Sequence, residues 1–343
     1  MEMGRTMPME LDKKRHAYYL KRILQVMPSK MAQYDSNRLM FAFFAISGLD
    51  VLNCLDMINE TEKTAAIEWI YGRQVTNAGA KSGFQPSTMI SDQTPDYQCG
   101  YLPMTYTGLA TLLTLGDDLS RVDKKSIIEG VKACQNSNGC FMAMITDSEC
   151  DMRFLYCACC VSAILDDWSG VDRARAIDYI IKSISYDGAM GQGPELESHG
   201  GSTFCAVASL YLMNELDRVL SNDQLERLRR WCLMRQNDGF QGRPGKPSDT
   251  CYSFWIGATL HLLNVANLTD PEANREFILS TQDNIIGGFS KFYDTHSDPL
   301  HTYLGLCGLS LLEYPELQSI NAALNISSRA YAHLQEIHKK WKN

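Results

Sequence analysis

The sequence repeats about every 50 residues, and this repeat constrains the fold more than any other feature. A turn ending in glycine and then an apolar residue recurs at Gly83, Gly139, Gly188, Gly239 and Gly288. Each turn is followed by a polar loop, an apolar run and then a second run with apolar residues on one helical face. Periods of this length are typical of stacked supersecondary units.

Each unit is predicted to be a helical hairpin with one apolar helix and one amphipathic helix. A more apolar helix is buried on more sides, so a ring of such hairpins has one set inside and the other outside. The sequence therefore predicts an all-α fold, an α/α barrel or toroid. An open right-handed solenoid remains an alternative, because periodicity does not determine closure.

Local signals support these helices. Asp123 is a predicted N-cap, Ser221 with Gln224 forms a capping box, and Asp270 precedes a proline at the first helical position. We expect one domain over residues 1–343, with a long polar loop at 73–100. A polar loop of this length is either functional or locally mobile.

Composition narrows the function. The chain is 45% hydrophobic and 21% charged, which is ordinary for a globular protein, and its net charge of -8 disfavours nucleic-acid binding. We see no apolar segment of a secretory signal and no run of about 20 apolar residues that could span a membrane. Twelve cysteines without a signal point to the reducing cytosol, so we expect a cytoplasmic protein.

Residues one period apart should lie at the same height in neighbouring hairpins, which places polar groups on one rim. The inner helices are predicted to begin near residues 104, 153, 202, 251 and 301. Helix N-termini at such a rim also present free N–H groups that suit phosphate. The groups at this phase are Tyr101, Tyr106, Arg153, Tyr156, His199, Asp249, Cys251, Tyr252 and His301, and the turn loops add Arg243, Lys246 and Lys291.

The first candidate site is Asp249, Cys251 and His301. Cys251 and His301 are one full repeat apart, so they should be neighbours. Carboxylate, thiolate and imidazole are all zinc ligands, and three protein ligands leave the fourth position open, as in catalytic zinc sites. The alternative is a capping Asp, a buried Cys and an inner-wall His with separate roles.

The second candidate site is cationic. It comprises His199, Arg243, Lys246 and Lys291, with Tyr252 as a hydroxyl donor, and together these groups suit a diphosphate. The alternative is ordinary solvated surface charge, especially for Lys246 and Lys291.

Aromatic residues on the inner helices suggest a cavity for a long apolar ligand. Plain core packing is the alternative for each of them. They are Phe41, Phe43, Phe44, Tyr106, Phe154, Tyr156, Phe254, Trp255 and Tyr303.

The same residues carry a resemblance to the β subunits of protein prenyltransferases, which extends from about residue 10 to 335. The matching segments are ESHGGSTF at 197–204, GRPGKP at 242–247, DTCYSFW at 249–255 and LHTY at 300–303. The resemblance implies an α/α barrel in which Asp249, Cys251 and His301 bind zinc. It also implies that His199, Arg243, Lys246 and Tyr252 bind diphosphate.

The cavity residues follow from the same resemblance. It implies that Arg153, Tyr156 and Trp255 line the isoprenoid cavity and that Phe154 lies near the terminal residue of a peptide substrate. Tyr101 and Tyr106 join this set through their place on the rim and inner wall.

Three positions resemble the type I geranylgeranyl enzymes rather than the farnesyl enzymes. Lys291 stands where farnesyltransferases have a magnesium-binding Asp, which implies that Mg²⁺ is not required. Met40 and Leu304 stand where they have Trp and Tyr, which leaves room for a fourth isoprene unit. The chain departs from the type I pattern at Met40, Tyr101 and Pro103, which bear on the choice of the final substrate residue.

The resemblance implies a zinc-dependent transfer of a C20 group from geranylgeranyl diphosphate to a C-terminal Cys-aliphatic-aliphatic-X cysteine, with X usually Leu or Phe. The implied partners are an α subunit shared with farnesyltransferase and protein substrates such as Rho/Rac-type small GTPases and G-protein γ subunits. Farnesyltransferase β and Rab geranylgeranyltransferase β subunits are the nearest alternatives. A terpene cyclase is a remote alternative, because this sequence lacks the acidic proton-donor motif of that class. A non-catalytic α/α barrel that only binds partners is also remote.

Overall fold

Helices alternate between an inner and an outer layer along the chain. The computed structural model describes residues 10–26, 34, 36–87, 97–146 and 148–342. Within these ranges the inner layer consists of α2 (Arg38–Val51), α4 (Leu102–Thr114), α6 (Met152–Leu165), α8 (Gly200–Leu212), α11 (Tyr252–Leu262) and α13 (Pro299–Leu311). The outer layer consists of α1 (Lys13–Gln25), α3 (Glu60–Tyr71), α5 (Lys124–Ala133), α7 (Arg173–Lys182), α10 (Asn222–Leu233) and α12 (Pro271–Ser280).

The inner helices form a closed ring. Each packs against the next inner helix along the chain, and α13 packs back against α2. The prediction of an α/α toroid is therefore confirmed, and the open solenoid is excluded for the described part of the chain.

Burial explains which helix lies inside. In α8 every residue from Ser202 to Leu210 is buried, whereas α7 buries only Ala176, Tyr179 and Ile180. A helix that is apolar all round needs partners on all sides, and the ring provides them.

The inner helices begin at one rim, where the starts of several of them are hydrogen-bonded to the loop of the following unit. The amide of Leu102 donates to the carbonyl of Ala143 at 2.8 Å, and the amide of Gly200 donates to that of Gly242 at 2.8 Å. The amide of Thr250 donates to the carbonyl of Lys291 at 3.2 Å. The polar residues that share the repeat phase therefore lie on one end of the ring.

The outer helices are joined by a repeated side-chain contact. The amide of Gln236 accepts from the backbone N–H of Asp270 at 2.9 Å and donates to the carbonyl of the same residue at 2.6 Å. Asp270 is the predicted N-cap of α12, and its carboxylate accepts from Ala273. Gln135 holds Asp172, the N-cap of α7, in the same way. The predicted caps at Asp123 and Ser221 are also confirmed.

The repeated glycines lie in the turns that follow the outer helices. Gly139 and Gly188 have φ of 91° and 96°, a backbone conformation that favours glycine. They are not helix C-caps, since α5 ends at Ala133 and its C-cap residue Cys134 has ordinary right-handed helical geometry. Gly239 lacks a positive φ, and a Cβ there would lie 2.2 Å from the ring of Phe277.

Short antiparallel strand pairs occur in the described loops. They are β1 (Gln74–Val75) with β2 (Gly83–Phe84), β3 (Phe289–Ser290) with β4 (Ser297–Asp298), and β5 (Ile320–Asn321) with β6 (Ile326–Ser327). The predicted loop 73–100 thus holds a strand pair, while its residues 88–96 lie outside the described residues. The short α9 (Leu216–Val219) precedes α10, and the chain ends in α14 (Ser328–Lys342).

The β5–β6 hairpin enters the ring from the end opposite the rim. Its base is held by Asp50 of α2, which is buried and accepts from the hydroxyl of Ser327 and from Arg329 Nε at 2.9 Å. Arg329 also donates to the carbonyl of Thr114, the last residue of α4, at 2.6 Å. The sequence analysis did not predict this hairpin.

Candidate active site

Asp249, Cys251 and His301 converge on the rim between α11 and α13. One ligand atom from each lies within 4.8 Å of those of the other two, and His301 Nε2 is 3.3 Å from Asp249 Oδ1. Zinc–nitrogen and zinc–oxygen bonds are about 2.0–2.2 Å, which puts two ligand atoms on a tetrahedral ion about 3.3–3.6 Å apart. The spacing and the donor types therefore fit a zinc ion.

The Asp-x-Cys spacing has a local structural cause. Cys251 is the residue just before α11, and its backbone N–H donates to Asp249 Oδ1 at 3.0 Å. Such a turn between an Asp side chain and the amide two residues later fixes the carboxylate beside the thiol.

His301 is oriented by a residue that the sequence analysis missed. Its Nδ1 lies 2.6 Å from Asp298 Oδ2, while its backbone N–H donates to Asp298 Oδ1 at 2.9 Å. Asp298 is therefore both the N-cap of α13 and the partner that leaves Nε2 facing Asp249. Histidines that bind metals usually carry such a carboxylate on the other ring nitrogen. The signal for it was Asp-Pro before the helix, three residues ahead of His301.

Electrostatics in this cluster favour a cation at its centre. Burial alone would lower the pKa of His301, but hydrogen bonds to Asp249 and Asp298 outweigh burial and raise that pKa to about 9. Burial would raise the pKa of Asp249, but hydrogen bonds from His301 and Cys251 lower it overall. Burial, and then the charge of Asp249, raise the pKa of the Cys251 thiol well above its usual value.

His199 and Tyr252 form a second pair on the same rim. His199 is the N-cap of α8, and its Nδ1 accepts from the amides of Gly201 and Ser202 at 3.1 Å and 3.3 Å. Its Nε2 is 2.8 Å from Tyr252 Oη. Because Nδ1 accepts, Nε2 carries the proton and donates to Tyr252, which leaves the Tyr252 hydroxyl hydrogen free for a ligand.

This pairing changes the predicted charge of His199. The sequence analysis counted it among the cations, but burial, and then the charge of Arg243, lower its pKa. A neutral imidazole follows near pH 7. Burial, and then the charge of Cys251, raise the pKa of Tyr252, so its hydroxyl stays a donor.

Two glycines allow the Tyr252 ring to lie here. A Cβ on Gly242 would be 2.2 Å from Tyr252 Cζ, and a Cβ on Gly200 would be 3.1 Å from Tyr252 Cδ1. Gly200 of the motif at 197–204 and Gly242 of the motif at 242–247 therefore allow close packing around Tyr252.

The predicted cations differ in their surroundings. Arg243 Nη1 forms an ion pair with Glu197 Oε2 at 3.0 Å, on a half-exposed side chain. Lys291 Nζ is 3.6 Å from Asp249 Oδ2 and half-exposed, and Lys246 is exposed on the loop that carries Arg243. Glu197 is a second neighbour that the sequence analysis missed.

The predicted cavity residues separate into two groups. Met40, Tyr101 and Trp255 are partly exposed near the rim. Tyr106 and Tyr156 are buried, with ring centroids 5.8 Å apart, and the Trp255 ring lies 5.2 Å from that of Phe204.

The remaining predicted cavity residues are Arg153, Phe154 and Leu304. Arg153 binds the carboxylates of Asp151 and Glu149, and its guanidinium lies 5.1 Å from the centroid of the buried Phe154 ring. The hydrogen bonds that Arg153 donates to Asp151 are the main reason why the pKa of Arg153 is raised. Leu304 is only 1% exposed, and its place in the cavity wall stays a prediction.

Comparison with known proteins agrees with the fold and with the arrangement of the site residues. The family model described as the prenyltransferase alpha-alpha toroid domain matches residues 11–326. The chain belongs to this family.

Two relatives named geranylgeranyl transferase type-1 subunit beta are similar to this chain over most of both sequences. The protein from Dictyostelium discoideum is 38% identical over 93% of this chain and 96% of its own length. The protein from Arabidopsis thaliana is 39% identical over 92% of this chain and 88% of its own length. A protein farnesyltransferase subunit beta from Arabidopsis thaliana is 27% identical over 86% of this chain.

A solved structure of the toroid family agrees. The Candida albicans protein geranylgeranyltransferase-I complexed with GGPP superposes with a TM-score of 0.88 at 26% identity, covering 96% of this chain and 99% of that one. The predicted resemblance to type I geranylgeranyl β subunits, and the prediction of an enzyme of the protein prenyltransferase class, are confirmed. Across the described residues, no helix has the length and apolar character to cross a membrane.

Proposed function

We propose that this chain is the β subunit of a zinc-dependent protein geranylgeranyltransferase of type I that modifies C-terminal Cys-aliphatic-aliphatic-X cysteines. The observation that carries the proposal is the convergence of Asp249, Cys251 and His301 beside the Tyr252 pair, at the mouth of a ring with an aromatic interior. Sequence identity of 38–39% to two proteins named as type-1 β subunits supports the choice of a C20 donor.

We assign the metal to Asp249, Cys251 and His301, with Asp298 orienting the imidazole. Zinc in such a site lowers the pKa of a substrate thiol and so supplies the thiolate nucleophile at neutral pH. Charged groups surround this position before any substrate arrives. They are the carboxylates of Asp249 and Asp298 and the ammonium of Lys291.

The diphosphate is assigned to the rim beside the metal ligands. Negative charge develops on the bridging oxygen as the C1–O bond breaks, and preorganised donors stabilise it. Tyr252 can donate its hydroxyl because His199 already donates to its oxygen. Arg243, Lys246 and Lys291 supply positive charge from the neighbouring loops.

We further propose that the chain acts as one domain, since its ring closes on itself, and that it works in the cytoplasm as a heterodimer with an α subunit shared with farnesyltransferase. Its protein substrates would be of the Rho/Rac and G-protein γ type. These assignments follow the resemblance to the family.

The proposal is tested with the chain co-expressed with an α subunit. A peptide ending in Cys-aliphatic-aliphatic-Leu is offered with equal amounts of C15 and C20 diphosphates, and we expect the C20 product to predominate. A C15 preference would indicate a farnesyltransferase, and failure to modify the peptide with either lipid would indicate the Rab type.

Cys251→Ala tests the metal assignment in the same complex. We expect it to lose bound zinc in elemental analysis and to lose turnover, because one of three ligands is gone. Cys232→Ala, at a fully buried cysteine of α10, is the matched control and should keep its zinc. Full zinc content in Cys251→Ala would refute the ligand set.

Lys291→Asp tests the proposed independence from Mg²⁺. Wild-type turnover should not require added Mg²⁺, because the Lys291 ammonium supplies the positive charge. The variant places a carboxylate there, so its turnover should be slow and should rise with added Mg²⁺. A variant that is fast without Mg²⁺ would show that Lys291 does not have this role.

A further inference from the structure

We infer that Thr250, which lies between the proposed metal ligands Asp249 and Cys251, is a positioning residue that holds Lys291 at the proposed diphosphate site. This inference rests on the proposed function and deepens it, because it names the side chain that fixes the cation in place. Thr250 is itself fully buried, so it acts on a bound ligand only through its neighbours.

The hydroxyl of Thr250 binds the end of β3, the strand that leads directly to Lys291. Thr250 Oγ1 donates to the carbonyl of Ser290 at 2.7 Å and lies 3.3 Å from the carbonyl oxygen of Lys291. The backbone N–H of Thr250 donates to the same Lys291 carbonyl at 3.2 Å. One threonine therefore holds the last residue of β3 and the backbone of Lys291 against the segment that precedes α11.

The Thr250 hydroxyl also belongs to a buried chain of hydrogen bonds that reaches the end of α12. Thr250 Oγ1 lies 2.9 Å from Thr281 Oγ1. Because the single hydroxyl hydrogen of Thr250 goes to Ser290, Thr281 is the donor in this pair. The backbone N–H of Ser290 donates to the carbonyl of Thr281 at 2.9 Å. All three residues are buried, so removal of the Thr250 hydroxyl would leave buried polar groups without a partner.

The methyl group of Thr250 contacts α13, the helix that carries the third proposed metal ligand. A Cβ on Gly305 would lie 3.0 Å from Thr250 Cγ2, so the lack of a side chain at Gly305 leaves room for this methyl group. Gly305 is one helical turn after His301 and lies on the same face of α13. With its methyl group packed against α13, the Thr250 side chain is held in one rotamer, and the direction of its hydroxyl is fixed.

Lys291 needs an anchor because it stands where a buried strand meets an exposed loop. Phe289 and Ser290 are buried, whereas Lys291 and residues 293–296 are exposed. A lysine side chain is long and flexible, so the position of its backbone decides which groups its ammonium can reach. Here Lys291 Nζ lies 3.6 Å from Asp249 Oδ2. The contact with Thr250 at the backbone and this ion pair at the ammonium together hold Lys291 at both ends.

The metal ligands have a separate support, which makes the role of Thr250 testable. Asp249 Oδ1 accepts from the backbone N–H of Cys251 at 3.0 Å, and the imidazole of His301 is oriented by the N-cap carboxylate of α13. These bonds do not use the Thr250 side chain. Removal of its hydroxyl should therefore displace Lys291 and leave zinc bound.

The test compares Thr250→Val with Thr250→Ser in complex with the α subunit. Valine keeps the shape and removes the hydroxyl, whereas serine keeps the hydroxyl and removes the methyl group. In Thr250→Val we expect weaker binding of inorganic diphosphate by calorimetry and a lower kcat/KM for C20 transfer, each by about 10–100-fold, because the cation is misplaced. Its zinc content in elemental analysis should equal that of wild type. Thr250→Ser should stay near wild type in all three measurements.

A double-mutant cycle shows whether Thr250 acts through Lys291. Lys291→Ala removes the cation, so adding Thr250→Val to it should not weaken diphosphate binding further. A full additional loss in the double variant would overturn the inference, since Thr250 would then act without Lys291. Loss of zinc in Thr250→Val would also overturn it, because Thr250 would then support the metal ligands instead.

The matched control is Ser310→Ala. Ser310 is buried near the other end of α13, and its hydroxyl donates to the carbonyl of Gln318 at 2.6 Å. This variant loses the same kind of contact far from the rim, so its diphosphate binding and zinc content should match wild type.

A second pair of variants covers the case in which Thr250→Val does not fold. Thr250→Ala is then compared with Thr250→Ser, because alanine and serine differ only by the hydroxyl. The alanine variant should bind inorganic diphosphate more weakly than the serine variant, and equal binding would contradict the inference.

The outcomes separate the inference from the proposed function. A wild-type complex that transfers no C20 group would refute the proposed function and the inference with it. A wild-type complex that transfers C20, with a Thr250→Val variant that binds diphosphate as tightly as wild type, would refute the positioning role of Thr250 alone.

Discussion

Side chains at the starts of the inner helices serve the fold and the site together. Asp298 caps α13 and orients His301, and His199 caps α8 and hydrogen-bonds Tyr252. Helix N-termini need acceptors for their free N–H groups, so polar side chains are required on this rim regardless of catalysis. The ligand set uses the same positions.

Asp298→Asn separates the two roles of this residue. An asparagine oxygen can still cap α13, but its amide cannot accept from His301 Nδ1, so the imidazole loses its orienting partner. We expect zinc affinity to fall about 10–100-fold while thermal stability changes little. Competition with a zinc chelator measures the affinity.

The control is Asp294→Asn, at an exposed carboxylate on the same loop. It should keep the zinc affinity of the wild type. Equal zinc affinity in Asp298→Asn and Asp294→Asn would mean that the carboxylate of Asp298 does not support the metal ligand.

Between elements, a recurrent glutamine connects successive outer helices, and we call this connection a joint. Gln135 and Gln236 each bind both backbone polar groups of the aspartate that caps the next outer helix. Backbone groups at a helix start are otherwise unpaired, so one side chain satisfies two of them and fixes the angle between successive outer helices.

Gln236→Ala should remove this joint without touching the site. Loss of two hydrogen bonds to Asp270 is expected to lower the free energy of unfolding by about 1–2 kcal/mol. Urea unfolding followed by tryptophan fluorescence measures it. Gln335→Ala, on the exposed face of α14, is the control and should stay within about 0.5 kcal/mol of wild type. Equal effects of the two substitutions would mean that the joint contributes nothing.

At the scale of the molecule, the first helix of the chain closes the outer layer. Gln282, which follows α12, accepts from the amide of Asp12, the N-cap of α1, at 3.3 Å. His16 of α1 is fully buried, stacks on Phe289 at 4.5 Å and accepts from the amide of Gly288 at 2.8 Å through Nδ1. The repeat therefore continues from the last outer helix to the first.

His16 should make ring closure sensitive to acid. Burial lowers the pKa of His16 from 6.5 to about 4. The hydrogen bond with Gln282 and the charges of Asp12 and Asp283 raise this pKa, and the charge of Arg15 lowers it, but burial has the largest effect. Between these two pH values the unfolded chain binds a proton that the folded chain does not, so stability falls as pH drops from 6.5 to 4. The full loss is about 3 kcal/mol.

His16→Gln tests this prediction, because glutamine does not titrate. The free energy of unfolding is measured by urea titration at several pH values from 7 to 4. The wild-type curve should fall more steeply than that of the variant below pH 6.5. Parallel curves would show that His16 does not contribute to the acid sensitivity.

The sequence by itself determined the layers of the fold and most of the site. The 50-residue period and the contrast between apolar and amphipathic runs identified the helical hairpins, because burial follows helical periodicity. The shared phase of Cys251 and His301 brought the metal ligands together for the same reason. The caps at Asp123, Ser221 and Asp270 were readable because their signals are local.

Only the tertiary structure decided the closure of the ring, the neutral state of His199, the second contact of Asp298, the burial of Leu304 and the β5–β6 hairpin. Closure depends on a small rotation between successive units, which no local pattern records. The hairpin has two-residue strands and is held by hydrogen bonds from distant tyrosines, so its position depends on pairings across the whole chain. Local sequence specifies elements, whereas the partners of buried polar groups are fixed only when the elements pack.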